Sequence, residues 1–104
     1  MNNLDFGFKD GDLEIIESAI QMFPDIEKAA IFGSRAKGNY RRGSDVDIAI
    51  YGNIDNHTHL RLSAYLNDET PLPYFFDVID YEALKNEKLK ESIDAFGKVI
   101  FLNY

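Results

Sequence analysis

The most restrictive feature of this sequence is the segment Ile31–Ile50, IFGSRAKGNYRRGSDVDIAI, in which two apolar stretches enclose a polar loop. The first stretch stops at Gly33, and the second alternates apolar residues with Asp45 and Asp47. Alternation of period two is typical of a strand, and glycine commonly ends one. The segment therefore predicts two strands that are joined by a glycine-containing loop.

This loop concentrates positive charge in a chain that is acidic overall. The net charge is -7 and the pI is about 4.6. Even so, four of the eleven basic residues fall within eight positions: Arg35, Lys37, Arg41 and Arg42. A local basic cluster can bind a phosphate group although the rest of the surface is acidic. The acidic remainder argues against binding nucleic acid across the whole surface.

Length and composition limit the possible classes of protein. With 104 residues, the chain is expected to form one domain over residues 1–104, with a core small enough to make a partner subunit plausible. The absence of cysteine excludes disulfides and thiolate metal sites. No apolar run approaches the roughly 20 residues of a membrane span. The N-terminal stretch MNNLDFGFKDGD lacks the features of a signal peptide, so we expect a cytoplasmic protein.

The rest of the chain alternates helical and strand patterns. Asp12 is expected to cap the first helix, and Leu60, Leu62, Ala64 and Leu66 to form the apolar side of the second. This order predicts an α/β (α+β) fold with a small mixed sheet flanked by helices. The predicted elements are a helix from Asp12 to Phe23, strands over Lys28–Gly33 and Asp45–Tyr51, a helix over His57–Asp68, a strand over Tyr74–Asp80, a helix over Tyr81–Phe96 and a strand over Lys98–Leu102.

The turn at Gly33 and Ser34 is a candidate phosphate site. Glycine allows backbone N–H groups to approach a phosphate closely, and the serine hydroxyl is a further donor. The loop is neither a Walker A motif, which needs Lys and Ser or Thr after its last glycine, nor a GxGxxG dinucleotide motif.

Three aspartates predict a metal site. Asp45 and Asp47 point to the same face of their strand, where like charges are unfavourable unless a cation lies between them. Asp77 lies within another apolar strand pattern, FFDVI, and would join them if the two strands are neighbours. Carboxylate oxygens suit Mg²⁺, and three convergent carboxylates are typical of two-metal phosphoryl and nucleotidyl transfer.

Other residues allow alternative interpretations. Asp80 competes with Asp77 for the third carboxylate, although its position before a helix favours an N-cap. His57 and His59 are two residues apart in a polar segment, which is more typical of surface residues than of metal ligands. The pattern leaves the role of Arg41 and Arg42 open.

The stretch GSRAKGNYRRGSDVDIAI resembles the motif of the DNA polymerase β-type nucleotidyltransferases, which is Gly-Ser, ten residues and Asp-x-Asp. Ser34 is followed by ten residues before Asp45. The chain is similar in particular to the minimal nucleotidyltransferase (MNT) antitoxins that pair with HEPN-domain toxins. The resemblance extends over nearly the whole chain, and FFDVID is similar to the strand that carries the third carboxylate of the family.

The resemblance implies a nucleotidyltransferase. Gly33 and Ser34 would hold the phosphates of a nucleoside triphosphate, here expected to be ATP, and Asp45, Asp47 and Asp77 would bind two Mg²⁺. AMP would pass to a tyrosine hydroxyl of a HEPN-type RNase toxin, with pyrophosphate leaving, and so silence it. Arg35 and Lys37 are expected to bind the phosphates, since the triphosphate carries more charge than the metals neutralise.

Two other functions stay open at this point. The chain could be a binding module that neutralises its partner by occlusion alone. It could also be a nucleotidyltransferase that acts on RNA ends or on a small molecule such as an aminoglycoside. The complete set of Ser34, Asp45, Asp47 and Asp77 favours catalysis, because occlusion would not need it.

Overall fold

The computed structural model describes residues 6–103, so the first five residues of the N-terminal stretch discussed above lie outside it. Four strands alternate with four helices. The elements are α1 (Asp12–Gln21), β1 (Lys28–Phe32), α2 (Ser34–Lys37), β2 (Val46–Tyr51), α3 (Asn56–Asp68), β3 (Phe76–Asp80), a 3-10 turn (Tyr81–Ala83), α4 (Glu87–Phe96) and β4 (Lys98–Leu102). None of the helices within residues 6–103 is long and apolar enough to cross a bilayer.

The strands form one mixed sheet in the order β3-β2-β1-β4. β1 is antiparallel to both of its neighbours, whereas β2 and β3 are parallel. A parallel pair needs a crossover connection, and α3 supplies it. The prediction of a small mixed sheet flanked by helices is therefore confirmed.

One face of the sheet carries the main core beneath α1 and α3. Because strand side chains alternate between faces, every second residue of β1, β2 and β3 points into this core. Helix residues at spacings of three and four meet them. The core residues with no exposed surface are Ile16, Ile20, Ile26, Ala29, Ile31, Val46, Ile48, Ile50, Leu62 and Leu66.

The opposite face is only partly covered. α4 packs over a small cluster formed by Phe32, Ala49 and Ile93. Nearer the starts of β2 and β3, Asp47 is half-buried and Asp77 is exposed. The uncovered part of this face therefore lies where β1 ends and where β2 and β3 begin, and it contains the predicted metal ligands.

The helical boundaries differ from the prediction in the last third of the chain. The side chain of Asp80 accepts a hydrogen bond from the backbone N–H of Glu82 and starts a 3-10 turn, as the N-cap interpretation predicted. This turn ends at Ala83, and α4 begins separately at Glu87 after Asn86, whose side chain accepts from the N–H of Leu89. The predicted single helix over residues 81–96 was wrong, because the backbone is extended at Leu84 and Asn86 and Asn86 caps a separate helix.

The sequence also misplaced Leu60 and Ala64, which are exposed, and Asp12, which is not the cap of α1. Leu60 is 58% exposed, and the buried stripe of α3 consists of Thr58, Leu62 and Leu66. Asp12 does not cap α1, because Gly11 occupies the N-cap position. The Asp12 carboxylate accepts instead from the backbone N–H of Lys9 and from the hydroxyl of Tyr74, and so connects the start of α1 to the segment before β3.

Asn67 fastens the edge strand β3 to α3. Its side-chain oxygen accepts from the backbone N–H of Phe76 at 2.7 Å, and its amide nitrogen donates to the carbonyl of Phe76 at 3.0 Å. The same nitrogen donates to the carbonyl of Ser63. Both backbone groups of Phe76 that point away from β2 are thereby paired, which fixes the residue directly before Asp77.

We predict that Asn67→Ala lowers the free energy of unfolding by about 2 kcal/mol, because it leaves part-buried backbone groups of Phe76 without their partner. Urea denaturation measures the loss. Asn53→Ala, at an exposed bend, is the control and should change stability by less than about 0.5 kcal/mol. Equal stability of the two variants would contradict a role for Asn67 in holding β3.

Candidate nucleotide and metal site

Gly33 brings the turn after β1 into contact with β2. Its backbone has φ 74° and ψ -153°, a conformation that is essentially restricted to glycine. A Cβ atom at this position would lie 2.2 Å from Oδ2 of Asp47. The main chain therefore passes against the carboxylate, and no other residue fits without displacing it. α2 then begins at Ser34, whose side chain is half-buried.

The predicted carboxylates share one face of the sheet. Asp47 lies opposite Asp77 in the register of β2 and β3 and opposite Phe32 in the register of β1 and β2. Neighbouring strands are about 4.8 Å apart, so Asp47 and Asp77 project side by side. Asp45 directly precedes β2 and is exposed. The structure thus brings Gly33 and the aspartates to the same end of the sheet.

The charges at this end repel one another. Burial, together with the neighbouring carboxylates of Asp77 and Asp45, raises the pKa of Asp47 to about 6. A divalent cation would relieve this repulsion, and three hard oxygen ligands suit Mg²⁺. Within residues 6–103, however, no three carboxylate or imidazole side chains are arranged as the ligands of one metal ion. The donor set fits Mg²⁺ in chemistry, and binding is expected to draw the carboxylates together.

We predict that Asp47→Asn stabilises the protein when divalent cations are removed by chelation. The substitution removes repulsion but little volume, and the gain at pH 7 should be about 1 kcal/mol, or roughly 5 °C in Tm. The gain stays this small because solvent screens a carboxylate that is only partly buried. The folded protein holds the Asp47 proton more tightly than the unfolded chain. Wild type should therefore lose stability as pH rises from about 4 to about 6.

Thermal unfolding with chelator and with Mg²⁺ tests this prediction. Mg²⁺ should raise the Tm of wild type and leave that of Asp47→Asn nearly unchanged. Asp68→Asn, which removes an exposed charge at the end of α3, is the control and should respond to Mg²⁺ like wild type. An equal Mg²⁺ response of Asp47→Asn and wild type would contradict the metal assignment.

Arg35 occupies a different position from the one expected for a phosphate ligand. It is 3% exposed, and its guanidinium donates two hydrogen bonds to the carbonyl of Ser44 and one to the carbonyl of Phe6. The rings of Phe8, Tyr40 and Tyr74 surround it, with centroids 4.9 to 5.6 Å away. Arg35 therefore connects α2, the N-terminal segment and the loop immediately before Asp45, and it lies away from the open face.

We predict that Arg35→Lys destabilises the protein by about 2 kcal/mol, because lysine lacks the planar fork and would leave buried carbonyls unpaired. Arg42→Lys, at an exposed position of the same loop, should change stability by less than about 0.5 kcal/mol. Chemical denaturation of both variants provides the measurement. Unchanged stability of Arg35→Lys, with weaker Mg-ATP binding, would instead support the phosphate role that the sequence suggested.

The remaining basic residues of the loop are exposed. Lys37 lies at the end of α2 with its Nζ atom 5.1 Å from the ring centroid of Phe96, at the end of α4. It therefore stands on the side of the sheet that carries the aspartates. Arg41 and Arg42 line a groove of about 720 Å³ with Lys9, next to the loop that leads to Asp45.

The two histidines have positions in the framework of α3. The backbone N–H of His57 donates to the capping carboxylate of Asp55, and Nε2 of His59 lies 2.6 Å from the carbonyl of Val78. In the part of the chain that the structure describes, neither belongs to a metal-binding group.

Phe75 was not singled out by the sequence as a site residue. It immediately precedes β3, and its side chain is 61% exposed although it is large and apolar. A signal existed in the sequence, since residues two apart on a strand share a face and Phe75 is two residues before Asp77.

The fold and this arrangement define a nucleotidyltransferase of the polymerase β type. The family model described as "Polymerase beta, Nucleotidyltransferase" matches residues 14–103. The chain therefore belongs to this family. No curated protein sequence matches the chain in the corresponding comparison.

Solved structures with the same fold include chains from toxin–antitoxin complexes. A toxin–antitoxin structure with AMP-PNP has a TM-score of 0.74 at 23% identity, covering 88% of this chain and 74% of that one. The structure of the toxin–antitoxin pair MntA-HepT has a TM-score of 0.67 at 19% identity, covering 91% of this chain and 74% of that one. The structure of a tri-AMPylated Shewanella oneidensis HEPN toxin in complex with an MNT antitoxin has a TM-score of 0.60 at 20% identity, covering 88% of this chain and 73% of that one. At these identities the likeness shows the shared fold.

Proposed function

We propose that this protein transfers AMP from Mg-ATP to a tyrosine hydroxyl of a HEPN-type RNase toxin and thereby acts as its antitoxin. The observation that carries the proposal is the register of β2 and β3, which sets Asp47 beside Asp77. At the same end of the sheet, Gly33 lies against the Asp47 carboxylate. A phosphate-binding turn and a set of carboxylates in contact are what nucleotidyl transfer needs.

Each residue has a defined part in this proposal. Asp45, Asp47 and Asp77 would hold two Mg²⁺, which supply charge neutralisation at the triphosphate and favour ionisation of the attacking hydroxyl. The backbone at Gly33 and the hydroxyl of Ser34 would bind the β- and γ-phosphates. Since glycine removes the side chain that would otherwise separate turn and carboxylate, phosphate and aspartate can share one centre.

Lys37 and Arg35 act differently from each other. Lys37 is exposed on the side of the aspartates, so its ammonium can reach phosphate oxygens and stabilise the charge of the leaving pyrophosphate. Arg35 is buried and bound to backbone carbonyls, so it positions the loop before Asp45. We therefore assign phosphate binding to Lys37 and a positioning role to Arg35.

The charge of the chain and the known complexes support a toxin of this kind as the partner. A chain with net charge -7 disfavours nucleic acid as the acceptor but is compatible with a protein that binds RNA and carries a basic surface. Chains of this fold occur in complexes with toxins, including a tri-AMPylated HEPN toxin. ATP and an intracellular RNase meet in the cytoplasm, where we place the protein.

The proposal is tested with α-³²P-ATP and Mg²⁺ in the complex of this protein with its co-purified partner. Label should appear on the partner with wild type and disappear with the double variant Asp45→Asn/Asp47→Asn. Asp68→Asn is the matched control and should label at the wild-type rate. Mass spectrometry of the labelled partner identifies the modified side chain.

Two outcomes would overturn the proposal in different ways. If wild type transfers no label while the partner is bound and its RNase activity is blocked, the protein neutralises by occlusion. If label appears on RNA ends or on an aminoglycoside and not on protein, the reaction class stands and the acceptor is wrong.

A further inference from the structure

The aromatic side chain of Phe75 stands at the rim of the carboxylate site. The backbone carbonyl of Phe75 accepts a hydrogen bond from the N–H of Val46 at 2.9 Å, so the parallel pairing with β2 already begins one residue before β3. Exposure alternates from Phe75 to Val78, with Phe76 and Val78 buried in the core. Phe75 therefore projects from the same face as Asp77. Val46 pairs with Phe76, so the same register extended by one residue sets Phe75 opposite Asp45.

The order of the strands separates two sides of this site. The phosphate-binding turn follows β1, the Asp45–Asp47 pair belongs to β2, and Asp77 with Phe75 belongs to β3. Attack on a phosphoryl group is roughly in line with the leaving group. If pyrophosphate leaves on the side of Gly33 and Ser34, the attacking hydroxyl must arrive from the side of Phe75.

The chemistry of this side favours an aromatic acceptor. Phe75 is the most exposed of the six large apolar side chains that stand out from the surface of residues 6–103. A phenyl ring offers packing area but no hydrogen bond to a sugar, and it pairs well with another aromatic ring. The phosphodiesters of an RNA end would instead be brought close to three carboxylates on a chain that is already strongly acidic.

We propose that Phe75 packs against the ring of the acceptor and selects a phenolic hydroxyl over aliphatic and sugar hydroxyls. This inference rests on the proposed nucleotidyl transfer and names the residue that recognises its acceptor. The phenolic oxygen loses its proton to a carboxylate or to water and bonds to the α-phosphorus. The bond between the α-phosphorus and the bridging oxygen breaks, and pyrophosphate leaves with that electron pair.

The test compares wild type, Phe75→Ala, Phe75→Trp and Leu60→Ala. Leu60 is similarly exposed but lies on α3, so Leu60→Ala controls for the loss of an exposed apolar side chain. The acceptors are a short tyrosine peptide, the same peptide with serine, and an oligoadenylate with a free 3′-hydroxyl. The donor is α-³²P-ATP with Mg²⁺, and KM is measured separately for donor and acceptor.

We expect wild type to label the tyrosine peptide in preference to the other two acceptors. Phe75→Ala should raise the KM for that peptide about tenfold and leave the KM for ATP unchanged. Phe75→Trp should keep a wild-type KM because the indole preserves the packing surface, and Leu60→Ala should match wild type. The chain has no tryptophan, so the emission of Phe75→Trp should also shift when the tyrosine peptide binds.

The failures can be told apart. An unchanged acceptor KM in Phe75→Ala, with transfer intact, overturns the role of Phe75 and leaves the proposed function standing. A preference for the oligoadenylate overturns the phenolic acceptor. No transfer by wild type to any acceptor, or to its partner, overturns both the proposed function and this inference.

Discussion

The parallel pairing of β2 with β3 is the constraint on which the site depends. In this register Asp47 stands beside Asp77, while the flanking residues of both strands enter the core. A slip of one residue would turn Asp77 into the core and Val78 into solvent, so burial of the apolar set holds the register. Asn67 adds a second constraint at the first residue of β3. The same apolar contacts that stabilise the domain thus determine where the carboxylates meet.

The grouping of the three aspartates lowers the local stability of this end of the sheet. Burial and the neighbouring carboxylates of Asp77 and Asp45 together raise the pKa of Asp47, so the grouping of these charges is locally unfavourable. The surrounding structure holds them there nevertheless. Gly33 allows the main chain to pass against Asp47, and Arg35 holds the carbonyl of Ser44, the residue before Asp45. Like charges that are held close together are typical of functional sites and not of packing.

The sequence predicted those features that depend on local patterns. The period-two alternation of Val46, Ile48 and Ile50 gave β2, and the spacing from Ser34 to Asp45 gave the family. Features that depend on distant residues were wrong or incomplete. The partner of Arg35 at Phe6 is 29 positions away, and Tyr74 is 62 positions from Asp12. No local sequence pattern predicts contacts between residues that are so far apart in the chain.

The buried face of α3 could not be identified from the sequence for the same reason, because it depends on contacts with distant residues. Leu60 and Ala64 are spaced as suitably for a helical face as Leu62 and Leu66, and only packing on the sheet selects between them. In the last predicted helix, the helical spacing of apolar residues continued without a break. The side chains of Asp80 and Asn86 nevertheless cap the starts of two separate helical segments there. Propensity and periodicity are weak where a cap competes with them.

The second face of the sheet is only partly covered, and this leaves the aspartates accessible. α4 buries Phe32 and Ala49 but stops short of Asp47 and Asp77. A further element packed on these aspartates would exclude a triphosphate as well as an acceptor. Under the proposed function, the substrates themselves would cover the open half of the face. In the proposed reaction, selection of the acceptor would then depend on the few side chains at the rim, among them the exposed Phe75 beside the third carboxylate, and on the surface of the acceptor protein.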